Sequence, residues 1–233
     1  MSFSFNTQFD FAASKTAYQQ DNRAKIENLF EDQQANALHQ VLGHELQYDI
    51  AITHNNQYMN ITQAEWEAFD QKKRQEFLAQ AQSNATKGIG FIYGQRKVSK
   101  ASENATLRDL YTWLNSEKTL QWIRDISGHE DIVAASAQAT QYYPGHFLTR
   151  HNDIQEIEQR RVSFVINVTP QWHPDWGGLL QFFEEDGTPR DAWAPGFNSL
   201  HLFDVKHIQS VTFVAPYAGA PRLSVNGWFT AKP

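Results

Sequence analysis

The sequence predicts a mainly β fold of the sandwich or jelly-roll type, with helices supporting it from the N-terminal half. From residue 130 onward, segments rich in Val, Ile, Phe and Tyr alternate with Gly, Pro and Asp turns. Short strands in such a series are typical of jelly rolls. No repeat, low-complexity tract or Pro/Gly/Ser linker divides the chain, so we expect a single domain over residues 1–233.

We expect residues 1–128 to be a mostly helical support with a few strands, and residues 129–233 to form the jelly-roll core. Apolar positions recur at helical spacing over residues 22–42, with Asp21 and Asn22 as candidate caps. Further expected elements before residue 128 are strands at 45–54 and 88–94 and helices at 62–84, 106–114 and 117–126. The helix from residue 62 begins with a capping-box pattern, Thr62 and Glu65.

The composition excludes several classes of function. The formal net charge is -6, and the Lys and Arg residues are scattered, so neither nucleic acid nor an anionic membrane surface is an expected partner. There is no signal-peptide pattern and no run of about 20 apolar residues, which favours a cytoplasmic protein. The sequence has 0 cysteines, so a metal would be held by nitrogen and oxygen atoms.

The stretch FLTRHND, residues 147–153, contains the first chemical signal. In a strand, residues i and i+2 project to the same face, so His151 and Asp153 can converge on one point. An imidazole nitrogen and a carboxylate oxygen are two members of the 2-His-1-carboxylate triad that holds non-haem Fe(II). An isolated H-x-D pair is common by chance, however, and a second histidine from a distant strand is needed.

The later segments strengthen this interpretation. His207 lies at the head of the predicted strand HIQSVTFV, and Arg222 follows fifteen residues later in RLSVNGWF. The motifs YPGHFLTRHND, W-x-x-x-W-G-G-L-L-Q-F, PGFNSLHLF and RLSVNGWF together resemble the prolyl-hydroxylase-like branch of the 2-oxoglutarate/Fe(II) oxygenases, over roughly residues 130–230. The resemblance implies a double-stranded β-helix, a jelly-roll or cupin-like core, with the N-terminal helices packed on its outside.

The resemblance also implies roles for individual residues. His151, Asp153 and His207 would bind iron, and Arg222 would hold the distal carboxylate of 2-oxoglutarate. An arginine suits this task because its planar fork binds a carboxylate through two parallel hydrogen bonds. Ser224 lies two residues later on the same face and can donate a hydrogen bond to the same carboxylate.

Three further positions remain open at this stage. Tyr143 matches a tyrosine that lies near the metal in the family, although Tyr142 is the alternative that could point inward. Asn167 stands where relatives often have a tyrosine that binds the 2-oxoglutarate tail. His201 is the rival third metal ligand, but His207 is preferred. Five other histidines are expected to be structural or exposed: His39, His44, His54, His129 and His173.

The resulting hypothesis is a dioxygenase that uses Fe(II), 2-oxoglutarate and O₂, with ascorbate as a further reductant, to hydroxylate an unactivated C–H bond. A prolyl residue of a protein or peptide is the leading substrate, and a free amino acid or other small metabolite is the alternative. GQRKVSKASEN, residues 94–104, is a candidate flexible substrate loop, although a solvated turn is the simpler interpretation. A non-catalytic jelly-roll binding module and a metalloenzyme without 2-oxoglutarate remain competing interpretations.

Overall fold

All strands that the structure describes join in one antiparallel sheet that curves into a nearly closed barrel. The structure is a computed structural model that describes residues 2–55 and 57–232. Along the sheet the strands follow the order β1-β10-β7-β12-β5-β4-β6-β11-β8-β9, and β2, itself paired with β3, pairs with β4. The strands are β1 Arg23–Ile26, β2 Asp49–His54, β3 Gln57–Ile61, β4 Phe91–Val98, β5 Ile132–Tyr142, β6 Phe147–His151, β7 Arg160–Asn167, β8 Leu180–Phe183, β9 Pro189–Trp193, β10 Ser199–Asp204, β11 Ile208–Val211 and β12 Arg222–Ala231.

The α-helices within the described residues all precede residue 128 and cover the outer face of the sheet. They are α1 Phe11–Asp21, α2 Asp32–Gln40, α3 Gln63–Ala68, α4 Gln71–Ala85, α5 Ala105–Leu114 and α6 Glu117–Ser127. A π-helical turn, Val41–Glu45, follows α2, and a 3₁₀ turn, Pro174–Trp176, follows β7. None of the helices in the described ranges is long and apolar enough to cross a membrane. The fold agrees with the mainly β jelly-roll with outer helices expected from the sequence.

The main apolar core lies between these helices and the outer face of the sheet. Leu110 and Ile123 of the helices pack in the same cluster as Leu223, Val225 and Phe229 of β12. These three β12 residues alternate with Ser224 and Asn226, which therefore face the interior of the barrel. Alternation along one central strand thus separates a dry packing face from a polar interior face.

The N-terminal half differs from the sequence prediction first over residues 22–42. The predicted helix over residues 22–42 is divided, because residues 23–26 form β1 and only Asp32–Gln40 is α-helical. Asn22, with φ of 51°, ends α1 in the left-handed region and turns the chain into β1. β1 then pairs with β10, so a segment of the support belongs to the sheet of the core. Tertiary pairing outweighs the local helical pattern here.

Two other N-terminal predictions are refined. The capping box of Thr62 and Glu65 is present, but the expected helix is interrupted after Ala68, where extended Phe69 precedes a new N-cap at Asp70. The candidate substrate loop 94–104 is not a free loop. Gly94–Val98 belong to β4 and pair with β5, and the Arg96 guanidinium lies 3.9 Å from the Asp49 carboxylate.

Candidate active site

A cavity of about 290 Å³ lies inside the barrel. Its walls come from the inner faces of strands that are distant in sequence, chiefly β5, β6, β7, β11 and β12. The polar side chains that line it include His151, Asp153, Gln209, Arg222 and Ser224. Of the predicted site residues, His151, Asp153, Arg222 and Ser224 are therefore brought together, whereas His207, Tyr143 and Asn167 do not line the cavity.

His151 and Asp153 form the predicted pair. His151 ends β6, and its Nε2 atom lies 3.7 Å from Oδ1 of Asp153. The His151 Nδ1 atom is 2.9 Å from the carbonyl oxygen of Thr149 and, as a protonated ring nitrogen, donates to it. Nε2 therefore carries a lone pair that faces the cavity.

Asp153 is held rigidly in this position. The side chain is buried, and its backbone N–H donates to the carbonyl of Val205 over 3.0 Å. The hydroxyl of Ser163 donates to the Asp153 Oδ2 atom over 2.7 Å. A buried carboxylate needs such donors or a cation, because it has lost its hydration.

The structure does not bring His207, the predicted third metal ligand, to the cavity. His207 precedes β11 and closes a turn through its backbone N–H, which donates to the carbonyl of Asp204. Its Nε2 atom is 2.9 Å from the carbonyl oxygen of Asp21, and its ring packs edge-on against Phe182. This contact with Asp21 holds the His207 imidazole away from the cavity.

Gln209 occupies the position that sequence reasoning gave to His207. It lies opposite His151 in the pairing of β11 with β6 and is buried. Its Nε2 atom is 2.9 Å from Oδ2 of Asp153 and 3.2 Å from Nε2 of His151. In the sequence, the amide side chain of Gln209 lies within the strand segment IQSV. Sequence reasoning missed it because it expected a second histidine as the ligand.

Arg222 is among the largest fully buried side chains of the protein. Its Nε atom has no hydrogen-bond partner, and no ion pair among the described residues engages its guanidinium. The guanidinium carbon lies 5.2 Å from the centre of the Tyr142 ring. Burial lowers the pKa of Arg222, because the charged form is removed from water. A buried cation of this kind is incomplete without an anionic ligand.

The remaining cosubstrate predictions have mixed outcomes. The Ser224 hydroxyl lies in the cavity wall, 2.8 Å from that of Thr140. Of the two tyrosines, Tyr142 lines the cavity and stacks on Tyr93 at 5.1 Å, whereas Tyr143 is 47% exposed and outside it. The assignment of Tyr143 is therefore corrected to Tyr142. Burial raises the pKa of both Tyr142 and Tyr93, in the second case to about 12.

Asn167 and His201 lie in the protein interior without lining the cavity. The Asn167 amide nitrogen is 3.4 Å from the hydroxyl of Ser199, while its Oδ1 atom has no partner. Asn167 is thus not a direct cosubstrate contact in this structure. Both ring nitrogens of His201 are buried without partners, and burial holds its pKa well below the usual range. The His201 ring packs edge-on against Trp193.

The side chains at the cavity fit Fe(II) and 2-oxoglutarate, the groups that the resemblance implies. One difference is that Gln209 lies where a second histidine was expected. The described residues contain no group of three or more His, Cys, Asp or Glu side chains arranged to hold a metal ion. They do contain His151 and Asp153 beside the Gln209 amide, whose oxygen is also a possible metal ligand. The unpartnered Arg222 fits a carboxylate at the same cavity. This arrangement suits a metal held by mixed nitrogen and oxygen atoms next to an organic acid.

Comparison with known proteins agrees with this class of site. Residues 137–230 match the family model described as the 2OG-Fe(II) oxygenase superfamily. The matched segment contains the cavity residues of β5, β6, β7, β11 and β12, so the chain resembles that superfamily over the part that carries the site.

Individual relatives support the same placement. The chain is 32% identical over 116 residues to prolyl 3-hydroxylase OGFOD1 of Xenopus laevis and 29% identical over 115 residues to its counterpart of Mus musculus. These matches cover 47% and 46% of this chain but only 22% and 21% of the relatives, so the chain corresponds to about a fifth of their length.

Solved structures show a shared fold at low identity. A prolyl-4-hydroxylase of Pseudomonas putida superposes with a TM-score of 0.63 at 16% identity, covering 96% of this chain and 100% of that one. A prolyl hydroxylase of Trichoplax adhaerens, solved with a hypoxia inducible factor peptide, superposes with a TM-score of 0.64 at 14% identity, covering 95% and 90%. The double-stranded β-helix fold is thereby confirmed.

Proposed function

We propose that the chain is a 2-oxoglutarate-dependent oxygenase that hydroxylates an unactivated C–H bond. The observation that carries the proposal is the fully buried, unpartnered guanidinium of Arg222 in the same cavity as His151 and Asp153. A lone buried cation is unfavourable unless a ligand supplies its counter-charge. An acid with a carboxylate at one end and a metal-binding 2-oxo acid at the other meets both needs.

In this proposal the side chains bind and orient the two cofactors. Arg222 binds the distal carboxylate of 2-oxoglutarate through its planar fork. The hydroxyls of Ser224 and Thr140 are hydrogen-bonded to each other, so one of them is free to donate a further hydrogen bond to this carboxylate. His151 and Asp153 hold the metal. Bound there, Fe(II) with 2-oxoglutarate and O₂ supplies the oxidant for hydroxylation.

The groups hydrogen-bonded to His151 and Asp153 keep these two side chains oriented for metal binding. The Thr149 carbonyl fixes the tautomer of His151, and the Ser163 hydroxyl orients Asp153. The aromatic rings of Tyr93 and Tyr142 wall the cavity and exclude water from it. Exclusion of water strengthens the attraction between Arg222 and a carboxylate.

A prolyl residue of a protein or peptide is the proposed substrate, and the alternative is a free amino acid or other small metabolite. The likeness to prolyl hydroxylases supports the first, since OGFOD1 is named a prolyl 3-hydroxylase. Aromatic side chains of Tyr58, Phe91 and Trp228 in the cavity wall are compatible with a ring such as that of proline. Ascorbate as a reductant and a cytoplasmic location stay predictions.

Two measurements test the proposal. Anaerobic addition of Fe(II) and 2-oxoglutarate should produce a visible metal-to-ligand charge-transfer band that Asp153→Ala removes. Aerobic incubation with prolyl peptides, and separately with free amino acids, should release succinate with a matching gain of one oxygen in one substrate class. A wild-type protein that binds neither cofactor, under conditions where its fold is intact, overturns the proposal.

A non-catalytic binding module is the second candidate, and one observation favours it. The Gln209 amide nitrogen bridges His151 and Asp153 and so satisfies both without a cation. Such a module would bind a carboxylate at Arg222 with equal affinity in the presence and absence of metal. Calorimetric titration of 2-oxoglutarate with and without Mn(II) separates the two, because an oxygenase binds the 2-oxo acid more tightly when metal is present.

A further inference from the structure

We propose that Gln209 is the third protein ligand of the metal, through its Oε1 atom, so that the site is His151, Asp153 and Gln209. This inference rests on the proposed function, since it names the metal site which that function requires. It departs from the 2-His-1-carboxylate set expected from the sequence. Of the two histidines considered for that set, His207 is bonded to the Asp21 carbonyl outside the cavity, and His201 does not line the cavity either.

The spacing of the three side chains supports a shared metal. The Gln209 amide nitrogen lies 2.9 Å and 3.2 Å from the nearest atoms of Asp153 and His151, which are themselves 3.7 Å apart at Oδ1 and Nε2. Ligand atoms at about 2.1 Å from one octahedral ion lie about 3 Å from each other. The two Gln209 distances are close to this value, and the separation between His151 and Asp153 is longer, so a shared ion would draw these two side chains slightly together.

The hydrogen bonds explain why the amide nitrogen, and not the oxygen, faces the pair in the absence of metal. His151 Nε2 and Asp153 Oδ2 are both acceptors, because the His151 proton is on Nδ1 beside the Thr149 carbonyl. The two hydrogens of the Gln209 amide satisfy both acceptors. The amide thus takes the place of a cation between them.

A rotation of the terminal amide by about 180° exchanges its nitrogen and oxygen without moving the backbone, since this torsion has a two-fold preference. The oxygen then faces the same point as the other two ligands. The pairing of Gln209 with His151 across β11 and β6 holds the side chain at this point in either orientation. In this orientation the amide oxygen can serve as a metal ligand beside His151 and Asp153.

The test measures Mn(II) binding to the purified protein. Binding is detected as a decrease in the electron paramagnetic resonance signal of free Mn(II). We expect one Mn(II) per chain in wild type, a rise in Kd of at least tenfold in Gln209→Leu, and a fall of about tenfold in Gln209→His. His207→Gln is the matched control, and its Kd should equal that of wild type. Equal binding by Gln209→Leu and wild type, or loss of binding in His207→Gln, overturns the inference.

A second measurement uses the wild-type protein and does not depend on whether a variant folds. In ¹H–¹⁵N spectra, the side-chain amide signals of Gln209, identified by their absence from Gln209→His, should shift on addition of Zn(II). Unchanged signals at saturating metal would contradict the amide as ligand.

The outcomes also separate this inference from the proposed function. Gln209-dependent metal binding without succinate release from any substrate overturns the proposed function and leaves the metal site standing. Binding of Mn(II) by Gln209→His alone overturns the amide ligand and favours a metal-free binding module.

Discussion

Arg222 lies opposite Tyr142 in the pairing of β12 with β5, and its guanidinium carbon is 5.2 Å from the centre of the tyrosine ring. The aromatic face provides partial compensation for a cation that no carboxylate of the described residues neutralises. The arrangement stabilises the charge enough for folding while leaving its fork available. The buried charge of Arg222 therefore favours the binding of an anionic ligand but lowers the stability of the ligand-free protein.

The first prediction follows from this opposition. Arg222→Met should weaken 2-oxoglutarate binding by about a hundredfold or more, because the fork of the buried cation is lost. The same variant should raise the melting temperature of the ligand-free protein, since an uncompensated buried charge is replaced by an apolar chain of similar length. Calorimetric titration and thermal unfolding measure the two effects.

The matched control is Arg161→Met, which removes a half-buried arginine paired with Asp131 outside the cavity. It should leave 2-oxoglutarate binding unchanged. If Arg222→Met binds 2-oxoglutarate as well as wild type does, the assignment of Arg222 fails.

The second prediction concerns the hydroxyl that orients Asp153. Ser163→Ala removes a donor 2.7 Å from Oδ2 and should raise the Kd for Mn(II) about tenfold, as expected for a residue that positions a metal ligand. Ser136→Ala, at an exposed position of β5 that does not line the cavity, serves as the control and should bind Mn(II) like wild type. Identical affinities in the two variants would show that the Ser163 hydroxyl does not position the carboxylate.

The third prediction is a loss of stability in acid. Burial lowers the pKa of His146 from 6.5 to about 4, so the folded protein binds this proton less tightly than the unfolded chain. The stabilisation is fully present above about pH 6.5 and is lost as the pH falls toward 4, by up to about 3 kcal/mol. His201, whose pKa is also lowered by burial, adds to the loss in acid.

Urea unfolding at several pH values between 4 and 7 measures this effect. His146→Asn should reduce the dependence of the unfolding free energy on pH in that range. An unaltered pH profile in the variant would mean that other groups account for the acid sensitivity of the protein.

The fourth prediction concerns Gly227 in the middle of β12. A Cβ atom at this position would lie 1.9 Å from the carbonyl oxygen of Ser136 and 2.9 Å from the Phe164 ring. Because the nearest atom belongs to the backbone of the paired strand, Gly227→Ala should destabilise the protein by about 3 kcal/mol. Gly196→Ala is the control, since its Cβ would make ordinary contacts of 3.4 Å or more. Thermal unfolding that does not distinguish the two variants would contradict this packing.

Much of the fold could be predicted because its signals are local. The strand patterns of β5, β6, β7 and β12 and the helices α5 and α6 depend on alternation and amphipathic spacing within short segments. β1 and β3 were missed because four- and five-residue strands are stabilised by pairing with distant partners, β10 and β2 respectively. Pairing over such separations leaves no periodic trace in the segment itself.

The residues of the candidate site could likewise be predicted only in part. By itself, the sequence determined the pair His151 and Asp153 and the face shared by Arg222 and Ser224, because strand geometry puts residues two apart on one side. Only the tertiary structure decided that Gln209, and not His207, completes the cluster, since a shift of two residues separates a turn from a strand. It also decided between Tyr142 and Tyr143, because adjacent residues in a strand face opposite sides and the sequence does not state which side is enclosed.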